Sequence, residues 1–263
     1  MSALQYTVAD SATMLRRNMK HMIRYPSMTL LLMGMPVILL LLFVYVFGET
    51  MGAGLGGVSG GRTEYANYVV PGVLLIGVAG SAQGTAIAVA MDMTEGIVAR
   101  FRTMAIARAS VLTGHVLGAV IQTMLALVVV MAVALLVGFR PSAGPLEWLG
   151  ATGMLVLVAL ALTWVSVALG MAAKTVESAS NLPMPMILLP FLGSGFVPTD
   201  SMPTAFRWFA EYQPFTPVME TVRGLLMGTP VGNAWLLAIA WCVALSAAGY
   251  LWARSLYNRK SLR

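Results

Sequence analysis

The chain has 263 residues, 59% of them hydrophobic and only 10% charged, with a mean hydropathy of +0.82. Soluble domains carry about 25% charged residues, so a chain this poor in charge cannot build a polar shell and must be covered by lipid. Its net charge of +6 does not point to nucleic acid, because the basic residues sort by membrane side. The single cysteine, Cys242, excludes an internal disulfide.

From the N-terminus, residues 10–25 are predicted to form an amphipathic helix lying on the membrane. Ala12, Leu15, Met19, Met22 and Ile23 share one face, and Arg16, Lys20 and Arg24 another at four-residue spacing. Asp10 or Ser11 can cap its start and Pro26 marks its end. The competing reading is a solvated basic tail that sets orientation.

Six apolar stretches follow, at 27–48, 68–91, 113–137, 149–172, 179–197 and 233–253. Each is close to the roughly 20 residues that a helix needs to span hydrocarbon. Their unbroken hydrophobicity predicts helices rather than barrel strands, which would alternate. The first stretch follows a basic segment and has no small-residue cleavage site, so no removable signal peptide is expected. On a six-span topology, twelve of the sixteen Lys and Arg residues fall on one side. Only Arg62, Arg140, Arg207 and Arg223 fall on the other, which predicts cytoplasmic termini.

The glycine-rich loop "GAGLGGVSGG" contains a formal G-x-S-x-G match, Gly57 to Gly61. That motif needs a strand-to-helix turn and a histidine base. Both histidines, His21 and His115, are predicted toward the opposite face, so the match is compositional. Gly80-x-x-x-Gly84 and Gly114-x-x-x-Gly118 place small residues on one helix face and predict close helix packing.

No Asp, Glu, Lys or Arg lies in the middle of a predicted span. Asp92 is at the cytoplasmic rim of the second. Proton- and ion-coupled carriers need ionisable groups at depth, which argues against that class. The nearest approach to a phosphate-binding loop, Gly170 to Thr175, lacks the glycine before Lys174. There is no HExxH metal spacing. The chain is therefore expected to bind no cofactor and to have no enzymatic site of its own. Scattered polar groups, Gln83, Gln122, Thr163 and Asn181, interrupt otherwise apolar walls.

Between the second and third spans, residues 92–112 carry Asp92, Glu95, Arg100, Arg102 and Arg108 with Ile97, Phe101 and Ile106 interleaved. Such a segment suits docking on a soluble partner; a basic loop on lipid headgroups suits the residues equally well. Later, "LLPFLGSGFVPTDSM" breaks the fifth span at Gly193 and Gly195, with Pro198 ending it. Pro203 follows, then an aromatic run with Phe206, Trp208, Phe209 and Tyr212. Pro214 and Pro217 are expected to break the chain again, before a short helix over 218–227 carrying Glu220 and Arg223. Broken helices at membrane depth need protein or a cavity around them. This predicts an external re-entrant hairpin over 198–230, against an ordinary external loop with aromatic anchors.

Four pieces in order resemble permeases of the ABC type-2 exporter family, in its daunorubicin-resistance branch. They are "LLLFVYVFG", "YANYVVPGVLLIG", "MDMTEGIVARFRTMAIARASVLTGHVLG" and "LPFLGSGFVPTDSMPTAFRWFAEYQPFTPVMETVRGLL". The family usually has Leu-Pro after the second arginine of the third piece, where this chain has Met104-Ala105. The resemblance covers nearly the whole chain. It implies one all-α transmembrane domain over 1–263 with six spans and an external hairpin capping an exit path.

It also implies that Asp92, Glu95, Gly96, Arg100, Phe101, Arg102 and Arg108 belong to a coupling region on a separate ATP-binding cassette subunit. ATP and Mg would sit on that partner, in an assembly of two cassettes and two permease chains, identical or paralogous. Arg16, Lys20 and Arg24 would lie on a connecting helix. The expected activity is multidrug or lipid export across a bacterial plasma membrane. A secondary multidrug carrier and a non-transport assembly factor are the rivals.

Overall fold

The computed structural model describes residues 26–54, 61–94 and 108–259. The expected helix over 10–25, with Arg16, Lys20 and Arg24, lies outside these residues. So do Glu95, Gly96, Arg100, Phe101 and Arg102 of the 92–112 segment.

Helix α1 (Pro26–Leu42) passes through a π turn (Phe43–Phe47) into α2 (Gly48–Gly54). Then come α3 (Arg62–Thr94), α4 (Arg108–Val137) and α5 (Pro145–Ala172). Short helices α6 (Val176–Asn181) and α7 (Met184–Leu188) lead into a 3-10 turn (Leu189–Leu192). A second 3-10 turn (Thr199–Ser201) precedes α8 (Thr204–Tyr212), α9 (Phe215–Met227) and α10 (Ala234–Arg259). Among the described residues there is no strand.

Helix ends follow local chemistry. Pro145 opens α5, where its missing N–H costs nothing, and the Glu147 carboxylate accepts from the Gly144 N–H. Thr175 caps α6 by accepting from the Ser178 N–H at 3.1 Å. Gly228 closes α9 at φ 63°, a left-handed conformation open to glycine.

Among the described residues, five helices are long and apolar enough to cross a membrane: Gly34–Ala53, Arg62–Thr94, Val116–Val137, Pro145–Ala172 and Ala234–Tyr257. The stretch predicted as a fifth span over 179–197, interrupted at Gly193 and Gly195, is in pieces from its first turns. Its breaks begin before Gly193, because Pro183, Pro185 and Pro190 each lack the N–H that an unbroken helix would donate. This broken segment nevertheless runs along the first two-thirds of α3. The Gln83 amide meets it at Ser180, Gly72 faces it at Gly195, and the Tyr65 hydroxyl reaches Phe196. Along α3, Gln83 to Tyr65 is about 27 Å of rise.

Helices α3 and α5 form the interior, with α5 packed most extensively on α10 and α3. Glycines set the closest approaches. A Cβ on Gly170 would lie 2.5 Å from the Ala86 carbonyl of α3, and one on Gly249 2.6 Å from the Val165 nitrogen of α5. Gly80, expected to serve such packing, has nothing within 4 Å of the space its Cβ would fill.

Helices α8 and α9 are joined by Gln213 and Pro214. The Tyr212 carbonyl, at the end of α8, accepts from Trp241 Nε1 at 3.0 Å, about 10 Å along α10 from its start. Near the end of α9, the Leu226 carbonyl accepts from the Ser142 N–H of the loop joining α4 to α5. Pro217 does not break α9 as expected. It sits in the first turn, where N–H groups have no intrahelical acceptor.

Candidate functional site

The site is the place where the broken segment meets the junction of α8 and α9. Pro190 cannot donate to Met186, and the chain leaves its 3-10 turn at Gly193 in an extended conformation. Backbone groups there need partners from elsewhere. Gln213, between α8 and α9 and only 4% exposed, supplies one. Its Nε2 donates to the Leu189 carbonyl at 3.1 Å and to the Thr216 hydroxyl at 3.2 Å. Thr216 Oγ1 in turn accepts from the Ser194 N–H at 3.3 Å.

Arg223 supplies the second set. Its Nη2 donates to the Ser194 carbonyl at 2.6 Å and its Nε to the Tyr68 carbonyl at 3.2 Å. One half-buried guanidinium thus joins α9, the broken segment and α3. Nearby, Phe196 stacks between Phe43 of the π turn and Phe191, with ring centroids 4.5 and 4.9 Å away.

The two predicted glycines are confined by these neighbours. A Cβ on Gly193 would collide with the Gln213 amide and lie 2.5 Å from the Thr216 hydroxyl. On Gly195 it would lie 3.0 Å from the Met219 sulfur, and the Gly195 carbonyl already presses on Gly72. Small size at 193 and 195 is a packing requirement.

Gly193, Gly195 and Arg223 therefore converge, joined by α9 with Pro214 before it and Pro217 in its first turn. Pro198 and Pro203 only introduce the second 3-10 turn and α8. Phe206 and Trp208 point outward from α8, Trp208 being 68% exposed. Arg207, on the same helix, pairs with Glu211 and Asp200, both at 2.6 Å. Those two acids raise its guanidinium above its ordinary value, the Glu211 hydrogen bond first. Glu220 is exposed on α9.

The predicted coupling residues sit elsewhere. Asp92 is half-buried near the C-terminal end of α3, and Arg108 opens α4. Arg62, Arg140 and Arg223 instead meet the opposite end of α3 or the helix before it. Arg62 pairs with Glu49 at 3.6 Å, and the Arg140 N–H donates to Asn67 Oδ1 at 2.9 Å. The site and the Asp92 end are thus at opposite ends of one helix.

Gln213, Thr216, Tyr68 and Gly72 were not legible as site residues. Gly72, directly after Pro71, was the available signal, as was a glutamine placed between an aromatic helix and Pro214. Gln83 stood out only as a polar group; its Nε2 donates to the Ser180 carbonyl at 2.6 Å. Among the described residues, no three His, Cys, Asp or Glu side chains converge as metal ligands would.

Comparison with known proteins gives relatives of one kind. The chain is 29% identical over 239 residues to "Daunorubicin resistance ABC transporter permease protein DrrB1" of Streptomyces coeruleorubidus, covering 90% of this chain and 81% of that protein. It is 27% identical over 176 residues to "Probable doxorubicin resistance ABC transporter permease protein DrrC" of Mycobacterium tuberculosis strain CDC 1551 / Oshkosh, covering 62% and 63%. The same figures hold for DrrC of strain ATCC 25618 / H37Rv. The family pattern of the ABC-2 type transporter matches residues 11–227, from before the first helix to the end of α9. A multi-pass helical chain with this match and these permease relatives belongs to the ABC-2 type transporter family.

Proposed function

We propose that this chain is the permease subunit of an ATP-driven exporter, moving a hydrophobic or amphipathic drug or lipid outward from the cytoplasm or inner leaflet. Hydrolysis would take place on a separate ATP-binding subunit, reached through Asp92, Arg108 and the residues between them. The observation that carries this reading is the continuous family match over 11–227. It takes in both the charged 92–108 segment and the broken segment with its hairpin, at opposite ends of α3. The sequence itself offers no phosphate-binding loop, so energy must come from a partner.

The broken segment makes a sixth crossing in this reading. Its course along about 27 Å of α3 supports that, and an even number of crossings returns both termini to the cytoplasmic side, as the basic residues favour. The hairpin of α8 and α9 is re-entrant from the external face. The depth of Tyr212 along α10 supports this, as does the return of Leu226 to the loop joining α4 to α5. Two permease chains and two ATP-binding subunits form the working unit in a bacterial plasma membrane. The names of the relatives make planar anthracycline drugs the first cargo to test.

The test is co-reconstitution with its ATP-binding subunit, in inside-out vesicles. ATP should drive daunorubicin uptake, and a hydrolysis-dead partner should abolish it. Uptake driven by a proton gradient without the partner would overturn the reading.

A further inference from the structure

Resting on the export reading, we propose that Gln83 and Gln213 are positioning residues for transport, each clamping one end of the broken segment so that the rod between them pivots. Prolines 183, 185 and 190 remove three N–H donors within eight residues of a segment at membrane depth. Carbonyls without donors are costly there, and lipid offers no replacement.

Those N–H groups would have served the carbonyls of residues 179, 181 and 186; the structure supplies a side-chain amide to a different carbonyl at each end of the rod. Gln83 of α3 donates to the Ser180 carbonyl at 2.6 Å, just before the first proline. Gln213 of the hairpin donates to the Leu189 carbonyl at 3.1 Å, just before the last. The clamps come from different bodies, one from the interior helix and one from the hairpin apex.

Between them, α7 (Met184–Leu188) has no buried residue. Met184 and Leu188 are 54% and 53% exposed. Met186 and Ile187 are partly buried against the core, so apolar contact holds the middle of the rod and hydrogen bonds hold its ends. A glutamine amide on rotatable bonds can follow a carbonyl as the backbone tilts, which a helical N–H cannot. The rod therefore tilts while both end bonds persist, and the two glutamines set its rest position between the interior and α8–α9.

The test uses the full complex in a Cys242→Ser background, with a nitroxide on Leu188→Cys and a control label on Leu236→Cys of α10. Gln83→Leu and Gln213→Leu should each increase mobility at 188 and leave 236 unchanged, which also reports that the fold persists. Daunorubicin moved per ATP hydrolysed should fall about fivefold, the shift expected when one hydrogen bond of ordinary net strength is lost. A merely structural defect would lower transport and hydrolysis together and leave that ratio unchanged. Unchanged spectra at 188 in both variants would overturn the clamps. Raised mobility with an unchanged ratio would overturn their role in transport. A wild-type complex that hydrolyses ATP and moves no cargo would count against the export reading instead, and the spectra would still decide whether the clamps exist.

Discussion

The guanidinium carbon of Arg223 lies 3.9 Å from the centre of the Tyr68 ring, and its Nε donates to the carbonyl of that same residue. Tyr68 thus presents both its π face and its backbone to one cation. The remaining fork reaches Ser194, so a single side chain ties three segments that are distant in sequence.

Arg223→Met should destabilise the folded protein. It strands the Tyr68 and Ser194 carbonyls at about 1–3 kcal/mol each and removes a cation–π contact worth roughly 0.5–2 kcal/mol. Arg223→Lys should fall between, because an ammonium keeps the charge but cannot make both angled bonds while stacking. Thermal inactivation in detergent checks the order. A lysine variant as stable as wild type would mean that charge alone matters here.

Gly72 and Gly80 lie on the same helix, yet they should respond in opposite directions to alanine. At 72 the new Cβ would meet the Gly195 carbonyl at 2.8 Å, and such overpacking costs about 1–3 kcal/mol. At 80 nothing lies within 4 Å, so alanine should gain up to about 1 kcal/mol of helix propensity. Melting temperatures of the two variants, measured side by side, decide it. A destabilising Gly80→Ala would place a neighbour against that face in the assembled protein.

Membrane orientation can be read with single cysteines in a Cys242→Ser background. Cysteines at Ser59 and Thr199 should react with an impermeant thiol reagent in intact cells, because twelve of sixteen basic residues are assigned to the other side. Labelling at Ser2 or Ser261 instead would invert the topology.

Charge reversal in the 92–108 segment should separate assembly from folding. Arg100→Glu or Arg102→Glu should weaken capture of the ATP-binding subunit, with reversal of an interfacial charge costing on the order of 2–5 kcal/mol. The permease should still insert normally. Capture and stimulated ATPase at wild-type levels would assign the segment to lipid headgroups.

The long spans were legible because twenty or more apolar residues in a row leave little choice of structure. The aromatic run after Pro203 forms the helix Thr204–Tyr212, whose ends are set by the prolines on both sides. The breaks before Gly193 were missed because hydrophobicity alone does not register lost N–H donors; Pro183, Pro185 and Pro190 carried that information. Pro217 was misread for the converse reason, as proline breaks a helix interior but not a first turn. Most of the polar contacts could not be foreseen. Gln213 and Leu189, or Arg223 and Tyr68, become neighbours only through tertiary packing, and a single sequence carries no periodicity for such pairs.

The π turn at Phe43–Phe47 has a consequence for how the first span can vary in length. Such a turn is an α-helix carrying one surplus residue. Losing one residue there would return the backbone to ordinary winding, with Leu40 still facing inward and Glu49 still facing Arg62. The same loss elsewhere in this helix would rotate everything beyond it by about 100°, turning the buried Leu40 side or the Glu49 side out of register. Residues 43–47 are therefore a place where this span can absorb a deletion without one half turning against the other.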